Sequence, residues 1–116
     1  MQNSLDQTHL KLVILESPYA GDIEKNTRYA RACLKDSLMR SEAPLASHLL
    51  YTQSDVLNDE IAHERQVGID AGLAWCKYAQ AVVVYTDYGI SAGMQLGIER
   101  ANAYGIPVEY RKLYGQ

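Results

Sequence analysis

The segment Tyr85-Thr86-Asp87-Tyr88-Gly89-Ile90-Ser91-Ala92-Gly93-Met94 constrains the fold of this chain more than any other. It follows Ala81-Val82-Val83-Val84, the most hydrophobic run present, and leads into amphipathic sequence. A buried strand here passes through a glycine-bearing turn into a helix. Such a junction leaves the first backbone N–H groups of the helix unpaired beyond the strand end, with the positive end of the helix dipole behind them. Phosphate or carboxylate fits that cradle. Ser91 suits an N-cap, and Gly89 and Gly93 remove side chains where a ligand approaches backbone closely. The same residues also describe an ordinary helix cap, and the segment alone does not separate the two readings.

The rest of the chain repeats this alternation of short apolar runs and longer amphipathic ones. Leu10 to Leu15 reads as a first strand covered on both faces, and Pro18 to Asp22 turns the chain. Ile23 to about Glu42 has helical spacing at Ile23, Tyr29, Ala30, Cys33, Leu34 and Leu38, and Pro44 is expected to stop that helix. Leu45 to Tyr51 reads as a second strand, Thr52 to Asn58 as a loop, and Asp59 to Tyr78 as a second helix whose apolar face packs on the sheet. After the Ala81–Tyr85 strand, a helix from Ser91 to Tyr104 ends at Gly105, and Pro107 introduces a last strand at Val108 to Arg111. Four parallel strands with helical crossovers predict a three-layer, doubly wound α/β sheet of flavodoxin- or Rossmann-like type, order 2-1-3-4. Its binding crevice lies beyond the carboxyl ends of strands one and three, where the strand order reverses.

At 116 residues with 47% hydrophobic side chains, the chain has room for one domain, preceded by a polar extension at residues 1–9. A net charge of −3 without a Lys/Arg cluster argues against nucleic acid as a partner and for a small ligand. Cys33 and Cys76 lack metal or redox spacing, His48 and His63 make no zinc pattern, and neither a metal nor a cofactor is expected. With no signal-like h-region and no long apolar run, a cytoplasmic protein away from membranes is expected.

Ser17-Pro18-Tyr19-Ala20-Gly21, followed by Asn26, Ala30 and Ala32, then Pro44 and His48, and finally Asp87 with Ser91-Ala92-Gly93, resembles the nucleoside 2-deoxyribosyltransferase-like superfamily and its small phage and bacterial relatives. The resemblance implies that the loops after strands one and three enclose a nucleoside or nucleoside monophosphate. It further implies that Ser91 and Gly93 hold a 5′-phosphate, and that subunits assemble into a homodimer or larger oligomer whose members complete one another's sites. Ser17, Pro18, Tyr19, Gly21, His48, Tyr88 and Gly89 become candidate ligand-binding residues with them.

One departure matters. Enzymes of this superfamily place a nucleophilic Glu in a Gly-x-Glu-Leu-Gly pattern, and this chain reads Gly93-Met94-Gln95-Leu96-Gly97. An amide does not attack an anomeric carbon as a carboxylate does, although Gln95 can still hydrogen-bond a sugar hydroxyl. Glu99, eight residues past Ser91, falls roughly 12 Å down the helix, too deep to substitute. Glu16 and Asp87 end strands one and three and are the remaining acids, Asp87 for orienting the base or sugar and Glu16 as acid or nucleophile; either also suits a structural loop cap. His48 stands between ligand contact and a structural role, and Arg65 is placed to reach a phosphate or to lie on a solvated face.

Nine tyrosines and no phenylalanine complete the pattern. Tyr19, Tyr51, Tyr85 and Tyr88 near the crevice suit stacking on a base, whereas Tyr104, Tyr110 and Tyr114 suit subunit contacts. Two functions from different classes follow: a nucleotide-binding module whose glycosyl chemistry is lost or altered at Gln95, and an N-glycosidic-bond hydrolase or transferase that uses Glu16 or Asp87.

Overall fold

The computed structural model describes residues 9–114; of the polar extension, residues 1–8 lie outside the described residues. A four-stranded parallel sheet in the order β2-β1-β3-β4 is formed by β1 (Lys11–Glu16), β2 (Glu42–Leu45), β3 (Ala81–Tyr85) and β4 (Val108–Arg111). Helices cover both faces, which explains why β3 carries no polar alternation: Val82, Val83, Val84 and Tyr85 are all 0% exposed. On one face α1 (Ile23–Leu38) packs Tyr29 and Cys33 against Val13, Leu15, Val83 and Tyr85. On the other, α4 (Ala92–Tyr104) packs Met94, Ile98 and Ala101 against Ile14, Val82 and Val84. The result is the expected three-layer α/β architecture.

The region between α1 and β3 departs from the sequence reading. Helix α1 ends at Leu38, and the strand expected at Leu45–Tyr51 instead spans Glu42–Leu45, with Pro44 inside it rather than ending a helix. Pro44 is tolerated because β2 is an edge strand, so one side of it needs no ladder donor. Glu42 is placed in the strand for a tertiary reason: its buried carboxylate takes two hydrogen bonds from the Arg111 guanidinium, at 2.9 and 2.6 Å, and one from Ser37 Oγ at 2.7 Å. Beyond Ala46 the chain turns into a short helix, α2 (Ser47–Leu50).

The long helix expected at Asp59–Tyr78 is shorter, α3 (Ala62–Ala74), followed by a 3-10 turn at Cys76–Tyr78. It packs chiefly on α2 and α4 rather than on the sheet, and none of its residues is fully buried. Gly72 permits the contact with α2, since a methyl group there would lie 3.0 Å from Ser47 Cβ and closer still to its hydroxyl. Together α2 and α3 form a wall beside the carboxyl ends of the strands. No helix among the described residues is long and apolar enough to cross a membrane.

Candidate active site

Strand β1 runs one residue further than its apolar pattern suggests, so Glu16 is its last residue and Ser17 the first beyond it. The loop that follows is fixed from within: Asn26 Nδ2 donates to the carbonyls of Tyr19 and Ala20 at 3.0 and 3.1 Å, and Asp22 caps α1 by accepting from Lys25 N at 3.2 Å. Across the crevice, Ser91 Oγ accepts from Met94 N at 3.2 Å and caps α4. This uses one of the helix's initial N–H groups; those of Ala92 and Gly93 have no intrahelical acceptor.

Between these elements lies a cavity of about 240 Å³. Six of the candidate residues line it: Glu16, Ser17, Tyr19, His48, Ser91 and Gly93. The remainder are placed elsewhere. Pro18 is buried outside the lining, and Gly21 sits exposed in the turn before α1 at φ 99°. Gly89, at φ 87°, closes a turn by donating to Thr86 O at 2.9 Å and does not reach the cavity.

Asp87 and Tyr88 belong to a different cluster. The Asp87 carboxylate accepts from Tyr29 Oη at 2.5 Å and from the backbone N–H groups of Leu113 and Tyr114 at 2.8 Å each. Burial pushes its pKa up, but these hydrogen bonds outweigh that and hold it below the ordinary carboxylate range. Tyr88 packs on Tyr29 at 4.4 Å between centroids, with Lys25 Nζ 4.2 Å above its ring. Asp87 therefore clamps the chain after β4, the capping role the sequence reading kept beside the functional one.

Gln95 also lies outside the cavity. Met94, Gly97, Ile98 and Ala101 form the buried stripe of α4, so a residue one step from Met94 is rotated away from the sheet. Its side chain is exposed and donates to Glu99 Oε2 at 3.4 Å. The carboxyl group that meets this helix comes from Glu16: a methyl at Gly97 would lie 2.7 Å from Glu16 Cδ and overlap a carboxyl oxygen. Gly97 is thus the seat of the Glu16 side chain.

Among the described residues Glu16 has no hydrogen-bond or ion-pair partner, and burial pushes its pKa up from 4.5 to about 8. At neutral pH it is mainly a neutral acid. His48 Nε2 and Ser17 Oγ are 2.7 Å apart, and burial pushes the imidazole down to about 4, so this pair is neutral as well. Charge enters the cavity from α3 and the segment before it: Arg65, 3.8 Å from Asp59, and Glu64, whose carboxylate accepts from Asn58 N at 2.7 Å. Among the described residues no three His, Cys, Asp or Glu side chains are grouped so as to hold a metal ion. Sequence reasoning passed over Ser47, Leu57, Ile69, Gly72 and Leu73, which also line the cavity. Gly68 and Gly72, one turn apart on α3, were the available signal for a close helix contact there.

Residues 11–111 match the family model described as Domain of unknown function (DUF7768). The chain belongs to the DUF7768 family. The comparison with curated proteins gives no match. Among solved structures, this DUF7768 chain is similar to a 2-deoxyribosyltransferase from the psychrotolerant bacterium Bacillus psychrosaccharolyticus, with a TM-score of 0.62 and 17% identity over 90% of this chain and 74% of that chain. At that identity the likeness establishes a shared fold.

Proposed function

We propose that this chain binds a nucleotide-like small molecule, of the size of a nucleoside monophosphate, in the cavity at the strand ends. The observation that carries this reading is the convergence on one cavity of the loop after β1, His48 from α2 and the amino end of α4. The phosphate belongs at Ser91–Gly93, where free N–H groups and the helix dipole favour an anion. Tyr19 offers an aromatic face to the base, and Ser17 and His48 offer neutral hydrogen-bonding groups. A panel of ribo- and deoxyribonucleoside monophosphates tests this by thermal shift, with stabilisation expected for at least one. Ser91→Asp combined with Gly93→Asp is expected to abolish that shift while the protein stays folded. An unchanged shift in the folded double variant would show that the anion sits elsewhere.

A second reading, cleavage of an N-glycosidic bond, is supported by the unpaired acid Glu16 in the same cavity. Self-association is part of the proposal too, supported by Val67 on α3, Trp75 just after it and Tyr78 in the 3-10 turn, which are 43%, 48% and 68% exposed. Light scattering on the purified protein distinguishes a dimer or larger assembly from a monomer.

A further inference from the structure

We propose that Glu16 acts as a general acid on the bound nucleotide-like molecule, protonating the departing base while water attacks the sugar carbon directly, so that no covalent sugar–protein intermediate forms. This rests on the binding reading above and extends its second form. Three observations lead to it. First, Glu16 lines the cavity from the last position of β1 and is without a hydrogen-bond partner, whereas Asp87 and Glu42 are each held by several donors. Second, Gly97 leaves room for its carboxyl group against the backbone of α4, about 9 Å along the helix from the Ser91 end where the phosphate would lie. Third, no cation among the described residues is paired with it. From the 3-10 turn it faces Cys76, a buried thiol whose pKa is pushed up by burial and then by Glu16 itself. From α4, Arg100 acts on that thiol without forming an ion pair to Glu16. Across the cavity stand neutral His48 and the charged Arg65, Glu64 and Asp59, none paired with Glu16.

An unpaired acid in such surroundings is suited to donating a proton and poorly suited to attacking as a nucleophile. The bond between the anomeric carbon and the base nitrogen breaks, and its electron pair goes to that nitrogen, which takes the proton from Glu16. A water oxygen bonds to the same carbon. The proton that water loses returns through solvent to the Glu16 carboxylate. The sum is one water consumed, one free base and one sugar phosphate released.

The experiment uses the whole chain with deoxyribo- and ribonucleoside 5′-monophosphates, following free base by chromatography and binding by thermal shift from about pH 5.5 to about 9.5. Base release is expected to fall roughly tenfold per pH unit above about pH 8, with binding retained. Glu16→Gln is expected to keep the thermal shift and to lose about 100-fold or more in release. Quenched reactions are expected to show no sugar adduct by mass spectrometry, and an added second base should not be incorporated. Release that rises through about pH 8, an adduct on Glu16, transfer to the second base, or full activity in Glu16→Gln would each overturn the proposal. Binding without release by the wild-type chain would overturn it too and leave the binding reading standing. No thermal shift with any monophosphate would remove both. The wild-type pH profile keeps the test decisive should the Gln variant not fold.

Discussion

Replacing Glu16 by Gln should change how stability depends on pH, and the sign follows from which state holds the proton. In the unfolded chain Glu16 ionises near its ordinary 4.5, whereas in the folded chain it keeps its proton to about 8. Between those values folding takes up a proton, which becomes harder as pH rises, at about 1.4 kcal/mol per pH unit. From about pH 5 to about pH 8 the wild-type chain is expected to lose about 3.5 kcal/mol of stability through this group. Glutamine does not ionise, so the variant lacks this term while every other titration is shared and cancels in the difference. Urea unfolding of both proteins at several pH values measures it. The midpoint of Glu16→Gln relative to wild type should climb by about 2 M between the two ends of the range. A gap between the two proteins that does not change with pH would mean that the carboxyl ionises as it does in water, and the argument for a resident acid would fail.

Other perturbations give equally direct readings. Gly97→Ala should expel the Glu16 carboxyl at a cost of about 1 kcal/mol, whereas in a Glu16→Ala background the same change should be neutral or stabilising through helix propensity; additive effects in the four-protein cycle would show that the two positions do not touch. Glu42→Gln removes the buried carboxylate that takes two hydrogen bonds from Arg111, leaving the guanidinium with Glu109 and the Tyr85 hydroxyl, and should cost about 1.5–3 kcal/mol, read by denaturant titration. Asp87→Asn weakens the hydrogen bonds to Tyr29, Leu113 and Tyr114 and should lower stability by about 1.5–3 kcal/mol, with the monophosphate-induced thermal shift unchanged in the folded protein. Loss of that shift in a folded Asp87→Asn protein would put Asp87 back in the binding site.

Part of this protein could be read along the chain because the controlling forces are local or periodic. An unbroken apolar run marked β3 as covered on both faces, Ser91 and Gly105 bounded α4 as cap residues do, and alternating strands and helices left the order β2-β1-β3-β4 as the simplest parallel sheet. The end of the sheet that holds the cavity followed from the same reasoning. Where a short apolar stretch served two periods, local reasoning chose wrongly: Ala46, Leu49 and Leu50 are spaced for a helical turn, and Pro44 is acceptable in a strand only because β2 turned out to lie at the edge.

Which of the candidate residues lines the cavity was a tertiary matter throughout. Glu16 and Asp87 were both candidates in sequence because each falls where a strand ends, and Gln95 stood near a helix start as a hydrogen-bonding residue only. Burying Met94, Gly97, Ile98 and Ala101 rotated Gln95 out to solvent, and docking the segment after β4 captured Asp87. The absence of a side chain at Gly97 left a space that the Glu16 carboxyl enters. Sequence determined β1, β3, α1 and α4, whose apolar patterns depend on neighbours along the chain; the bounds of β2, the helical turn α2 and the direction in which a side chain points at the end of a strand depend on what packs against them from far away, and only the folded structure decided those.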